Sequence, residues 1–153
     1  MIQYERKLRD YIRENDIPAE HIHFDESCHS VADAAKAASC SSDDLVKNIC
    51  MISDGRLVVA IVKGEDRVST SLVGSALGTK VLRIATPDEI LSFSGYPCGG
   101  VPSFGYDAVF LIDSRVMEKD TVYTGGGSPN ALVRIKTSDL LKANNGKTAN
   151  IRK

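Results

Sequence analysis

The sequence predicts an α+β fold: a mixed, mostly antiparallel sheet that curls into a barrel-like shape, with helices packed around it. Three observations carry this. Helix-like and strand-like segments alternate irregularly along the 153 residues, without a strict βαβ rhythm. A hairpin signal, Asp54-Gly55, separates two apolar runs. The strands are numerous and short, which suits a sheet that closes on itself.

Residues 2–14 form the first element, an amphipathic helix with Tyr4, Leu8, Tyr11 and Ile12 on one face and Asn15 and Pro18 at its end. A short extended piece follows at 22–24. Ser30 and Asp33 open an Ala-rich helix over 31–38 as a capping box, and CSSDD is a turn. Strands at 45–52 and 56–62 flank Asp54-Gly55; their near-continuous apolar content places the hairpin centrally in its sheet. Residues 64–67 are a loop, 69–77 a helix stopped by Gly78, and 81–85 a strand. Thr86-Pro87-Asp88-Glu89 supplies an N-cap, a first-turn proline and a capping glutamate for a helix to about residue 93. Strands at 108–112, 121–123 and 131–135 and a helix from 137 or 138 to 143 complete the fold, and 144–153 reads as a loosely held tail.

Nineteen Lys and Arg against 20 Asp and Glu give a net charge of −1, with 42% hydrophobic and 25% charged residues, as in an average soluble domain. The length suits a single domain over 1–153 with its own core. No apolar run approaches the roughly 18 residues of a membrane helix. The charged opening MIQYERKLRDYIREND lacks the apolar middle of a signal peptide. The expectation is a cytoplasmic protein with no membrane partner. The near-neutral charge excludes coating of long nucleic acid but not the gripping of a short end. Lys136, Lys142, Lys147, Arg152 and Lys153 form a limited basic stretch there, read either as a solvated face or as a small phosphate contact.

Cys28, Cys40, Cys50 and Cys98 form no CxxC pair, so neither a zinc finger nor a thioredoxin-like motif is expected. Reduced thiols packed as small hydrophobes are the default. His21, His23 and His29 cluster early; His21-x-His23 has metal-ligand spacing, but nothing downstream completes a site, and a solvated strand edge is the better reading. There is no GxSxG elbow, and Cys98 reads as a loop filler.

Seven of the 12 glycines and three of the five prolines fall in two loops, GYPCGGVPSFG at 95–105 and TGGGSPN at 124–130. Each alone reads as a tight turn; together they suggest a shared cleft whose backbone N–H groups bind an anion or a developing oxyanion. Lys47 is a charge inside the apolar run LVKNICMI, on one face with Leu45, Ile49 and Met51. Read on that segment alone it is a strand-end lysine reaching water; the other reading aims it into a pocket holding an anion.

The order SVADAAKA, DLVKNI, hairpin, TPDEI, GYPCGGVPSFG, TGGGSPN, SDLL resembles the YbaK/prolyl-tRNA-synthetase-associated family over roughly residues 28–142. The resemblance implies the barrel-like mixed sheet, hydrolysis of misacylated transfer RNA, no cofactor, no metal and no covalent enzyme intermediate. It places the family's strand lysine, which holds the terminal nucleotide, at Lys47, and its glycine loop, which excludes large side chains and supports the ester, at Gly99 and Gly100. Asn48, Gly126, Gly127, Ser128 and Asn130 are the implied substrate-binding residues. The implied partners are the transfer RNA acceptor end and an aminoacyl-tRNA synthetase. The chain departs from many relatives in having Ser103 rather than proline after Pro102, and no histidine after His29. Two functions therefore stand: a trans-editing deacylase for Cys- or Ala-tRNA(Pro)-like substrates, or a non-catalytic module of the same fold that binds an RNA end, a nucleotide or a synthetase.

Overall fold

The computed structural model describes residues 2–153. Helices α1 (Ile2–Glu14), α2 (Val31–Ala38), α3 (Thr70–Leu77), α4 (Pro87–Ser94) and α5 (Thr137–Asn144) surround two sheets. One sheet is antiparallel, with β1 (Ala19–His23), β7 (Ala131–Lys136) and β6 (Thr121–Gly125) in the order β1-β7-β6. The other is mixed, in the order β4-β2-β3-β5-β8, from β2 (Val46–Ser53), β3 (Arg56–Lys63), β4 (Arg83–Ile84), β5 (Val109–Asp113) and β8 (Lys147–Ala149). A parallel bridge from Leu45 to Tyr123 joins the two sheets beside β2 and β6, so they curl around one interior as the sequence predicts.

The central hairpin follows from its turn. Asp54 and Gly55 both take positive φ, 51° and 76°, as a two-residue hairpin loop requires. Their register pairs Ser53 with Arg56 and Lys47 with Val62. β3 alternates perfectly: Leu57, Val59 and Ile61 face the interior between the sheets, while Val58, Ala60 and Val62 join Val73 of α3 and Ile151 on the outer face. Both faces are covered, which is why its apolar run is continuous. On β2 the inward positions are Val46, Cys50 and Ile52, while Met51, flanked by Ile49, packs outward. Leu45, expected with that outward set, instead packs with Cys28, Ala34 and Leu132 under α2.

Helix starts follow their caps. Thr86 and Glu89 form the expected capping box on α4. At α2 the Ser30 side chain accepts from Asp33 N–H, but the reciprocal half of the box is not formed. The strand expected at 81–85 shortens to Arg83–Ile84, paired with Ile52 and Met51, and the Ala85 N–H still donates to Cys50 O at 3.0 Å.

The tail is the main correction. Residues 144–153 read as loose, yet β8 pairs in parallel with β5, and Ile151 is fully buried. The reason is Asp113, whose carboxylate is buried at the end of β5. It accepts from the Ile151 and Arg115 N–H groups and from the Arg152 guanidinium at 3.0 Å. A buried carboxylate demands such partners, and they come from a segment whose local sequence carries no strong pattern. The basic tail thus sits at the β8 edge, separated from β2 by β3 and β5.

Candidate active site

The glycine segments are not surface turns. Val101, Pro102, Ser103 and Phe104 are all buried without regular secondary structure, so each backbone carbonyl needs a donor. The carbonyls of residues 100–103 each find one, three of them from distant parts of the chain. Gly100 O accepts from Gly127 N–H at 2.7 Å, and Val101 O from Asn48 Nδ2 at 2.9 Å. Pro102 O accepts from the Tyr106 hydroxyl at 2.7 Å, and Ser103 O from Asn144 Nδ2 at 3.0 Å. The glycines let the two loops touch backbone to backbone. A Cβ on Gly100 would stand 2.6 Å from Ser128 N and 2.7 Å from the Gly127 carbonyl carbon.

Beside this seam lies a cavity of about 190 Å³. Lys47, Asn48 and Gly99 share its wall, with His29, Thr124 and Cys98. Apolar side chains supply much of the rest, among them Ala34, Val46, Ile90 and Leu132. Lys47 is half-buried and has no ion pair or hydrogen bond among the described residues. Lys63 and Lys119, by contrast, are tied to Asp43 and its neighbour Asp44. Those pairs hold both carboxyls below the usual range, Lys63 being the main cause for Asp43 and Lys119 for Asp44.

Gly100, Gly126, Gly127, Ser128 and Asn130 do not line the cavity; they hold its wall from behind. Gly127 packs on the first turn of α1, where a Cβ would meet Tyr4 O at 2.8 Å. Ser128 donates to Glu5 Oε2 at 2.7 Å, and His23 Nδ1 bonds Glu5 at 2.9 Å. Burial opposes ionisation of Glu5, but these two hydrogen bonds outweigh it and lower its pKa. Asn130 Nδ2 donates to Glu26 O at 3.1 Å and so ties the segment leading to His29 against the second loop.

Two features were not legible in the sequence. The chain has no histidine after His29, yet His21 reaches the second loop from β1, with Nε2 2.7 Å from Gly126 O. Arg9 Nε donates to His21 Nδ1 at 3.0 Å, so Nε2 carries the proton and the ring is neutral. Burial, then the Arg9 charge, pushes its pKa down. His29, to which the sequence assigned no role, lines the cavity, with Nδ1 3.2 Å from where a Cβ on Gly99 would stand. No local signal marked either residue, because both contacts span about 70 to 105 residues of chain.

The thiols divide by exposure. Cys28 and Cys50 are buried on the cavity wall, and burial pushes them up to about 11 and about 12. Both are protonated at neutral pH and poor nucleophiles. Cys98 is exposed.

The aminoacyl-tRNA editing domain family model matches residues 25–143, which contain the cavity wall and both glycine loops. The chain is 28% identical over 131 residues to an uncharacterized protein, YwhH, of Bacillus subtilis, covering 84% of this chain and 80% of that one. It is 30% identical over 81 residues to a proline--tRNA ligase of Anaeromyxobacter sp., covering 52% of this chain but only 14% of the ligase. A crystal structure of a proposed trans-editing enzyme for prolyl tRNA synthetase superposes with a TM-score of 0.91 over 98% of this chain and 97% of that one. At 22% identity that likeness is one of fold. No helix among the described residues is long and apolar enough to cross a membrane. With a match over most of its length, the chain belongs to the aminoacyl-tRNA editing domain family.

Proposed function

We propose that the chain is a deacylase acting in trans, which hydrolyses the ester between a wrongly attached small amino acid and the 3′ end of transfer RNA, with Cys- or Ala-tRNA(Pro)-like substrates. The observation that carries this is the cavity on which Lys47, Asn48 and Gly99 meet from distant parts of the chain. Its volume, about 190 Å³, lies below the ~300–1,000 Å³ of drug-sized pockets. It admits a small aminoacyl group, while the terminal nucleotide stays at the mouth.

An aminoacyl ester is already activated, so cleavage needs a positioned water and a stabilised oxyanion. The Gly99 N–H has no partner among the described residues and is the oxyanion donor in this reading. The Lys47 ammonium holds a phosphate or ribose of the terminal nucleotide. Water is activated by the substrate's own hydroxyl or amine, with His29 the only imidazole on the wall among the described residues. The protonated Cys28 and Cys50 thiols take no covalent part. Large side chains are rejected by the packed loop seam, since a pocket excludes what is too large more readily than what is too small.

The test is loss of the ester from transfer RNAs charged with alanine, cysteine, serine or proline. Hydrolysis of at least one small aminoacyl ester above the uncatalysed rate supports the reading. Flat time courses across all four, with the RNA still bound, would replace it with the binding module.

A further inference from the structure

Asn48 sits on the cavity wall, and its carboxamide is fully engaged. Nδ2 donates to Val101 O at 2.9 Å and to Thr124 Oγ1 at 3.1 Å. Oδ1 accepts from the Ser103 hydroxyl at 2.6 Å. The Ser103 and Thr124 oxygens are themselves 2.6 Å apart. The proton directions are then forced. An amide nitrogen only donates, and the Ser103 proton is committed to Asn48. Thr124 therefore donates to Ser103, and the three side chains close a ring in which each gives one proton and takes one. Such rings strengthen cooperatively in a low-dielectric interior.

The ring joins β2, the first glycine segment and β6 at the point where the two loops meet. Asn48 and Thr124 line the cavity; Ser103 is fully buried and does not. Ser103 therefore cannot touch a substrate, but it decides which way the Asn48 carboxamide faces. Reversed, the carboxamide would turn its oxygen toward Val101 O, two acceptors would oppose each other, and the Gly99–Val101 wall would lose its tether.

We propose that Ser103 is a positioning residue for the pocket: through Asn48 it fixes the Gly99–Val101 wall and hence both the rate and the size limit of the reaction. The activity arm of this inference rests on the deacylase reading; the geometric arm does not.

The experiment compares the wild type with Ser103→Ala and Ser103→Thr. The Asn48 side-chain amide is followed by 15N–1H NMR, assigned through Asn48→Asp. Deacylation is measured on one small and one larger mischarged RNA. The wild type should show a single, solvent-protected Asn48 amide pair. Ser103→Ala should lose that protection, lower kcat about tenfold on the small substrate with KM nearly unchanged, and discriminate less against the larger one. Ser103→Thr, which keeps the hydroxyl, should recover most of the protection and the rate. An Ala variant with wild-type amide protection overturns the inference, whatever the activity. An unprotected amide with unchanged kcat and discrimination also overturns it. A wild type inactive on every substrate defeats the deacylase reading alone, and the amide protection then decides the positioning role.

Discussion

Gly100→Ala probes the seam between the two loops. The added methyl would meet Ser128 N at 2.6 Å, the Gly127 carbonyl carbon at 2.7 Å and Ser128 Cα at 2.9 Å. All three are backbone atoms, so no side chain can rotate out of the way. Restoring an ordinary separation of 3.4 Å moves the loops apart by about 0.8 Å. The Gly127 N–H to Gly100 O bond, now 2.7 Å, would then stretch to the limit of a hydrogen bond. Overpacking costs about 1–3 kcal/mol, and weakening that bond about 1 kcal/mol more. For a chain of this size the sum corresponds to a fall in Tm of roughly 5–15 °C. Exchange of the Gly127 amide should accelerate, and deacylation should fall, because the same seam carries Gly99 and Val101. Gly55→Ala is the control: its φ is +76° but nothing lies within 4 Å, so it should cost about 1–2 kcal/mol of backbone strain and leave activity intact. A Gly100→Ala protein with wild-type Tm and Gly127 exchange would refute the packing argument.

Other outcomes follow from the same geometry. Lys47→Ala should lower deacylation a hundredfold or more, about 3 kcal/mol of transition-state stabilisation, with Tm unchanged because Lys47 has no partner to lose among the described residues; near-normal kcat/KM would remove Lys47 from the reaction. Arg152→Ala leaves the fully buried Asp113 with its two backbone donors only, and a melting experiment should register about 3 kcal/mol of destabilisation; an unchanged Tm would mean the tail is not held by this pair. His21 has a folded pKa below its ordinary value, so the unfolded chain binds its proton first as pH falls. Its contribution is complete above about pH 6.5 and declines as pH drops toward the folded pKa. Tm measured from pH 7.5 to 5 should therefore fall less steeply in His21→Gln, and parallel curves would show that the ring does not sense pH.

The sequence determined by itself what depends on local stereochemistry and periodicity. Asp54-Gly55 demanded a two-residue hairpin, Thr86-Pro87 and Glu89 opened α4, and the unbroken apolar run of β3 announced a strand buried on both faces. The resemblance implied one site for Lys47 and the Gly99-Gly100 loop; in the fold Lys47, Asn48 and Gly99 line one cavity, with Gly100 outside its lining. What tertiary structure alone decided was how buried polar groups are satisfied. The Asp113 carboxylate recruits Ile151 and Arg152 across 38 and 39 residues and turns an apparently loose tail into part of the fold. Gly127 and Ser128 carry the composition of a ligand loop, yet Gly100 and the first turn of α1 pack against them. Ser103 gains its meaning only when Asn48 and Thr124 arrive 55 residues before it and 21 after. A hydrogen bond between distant segments leaves no period in the sequence, because its partners are chosen by the folded chain's need to pair every buried donor and acceptor.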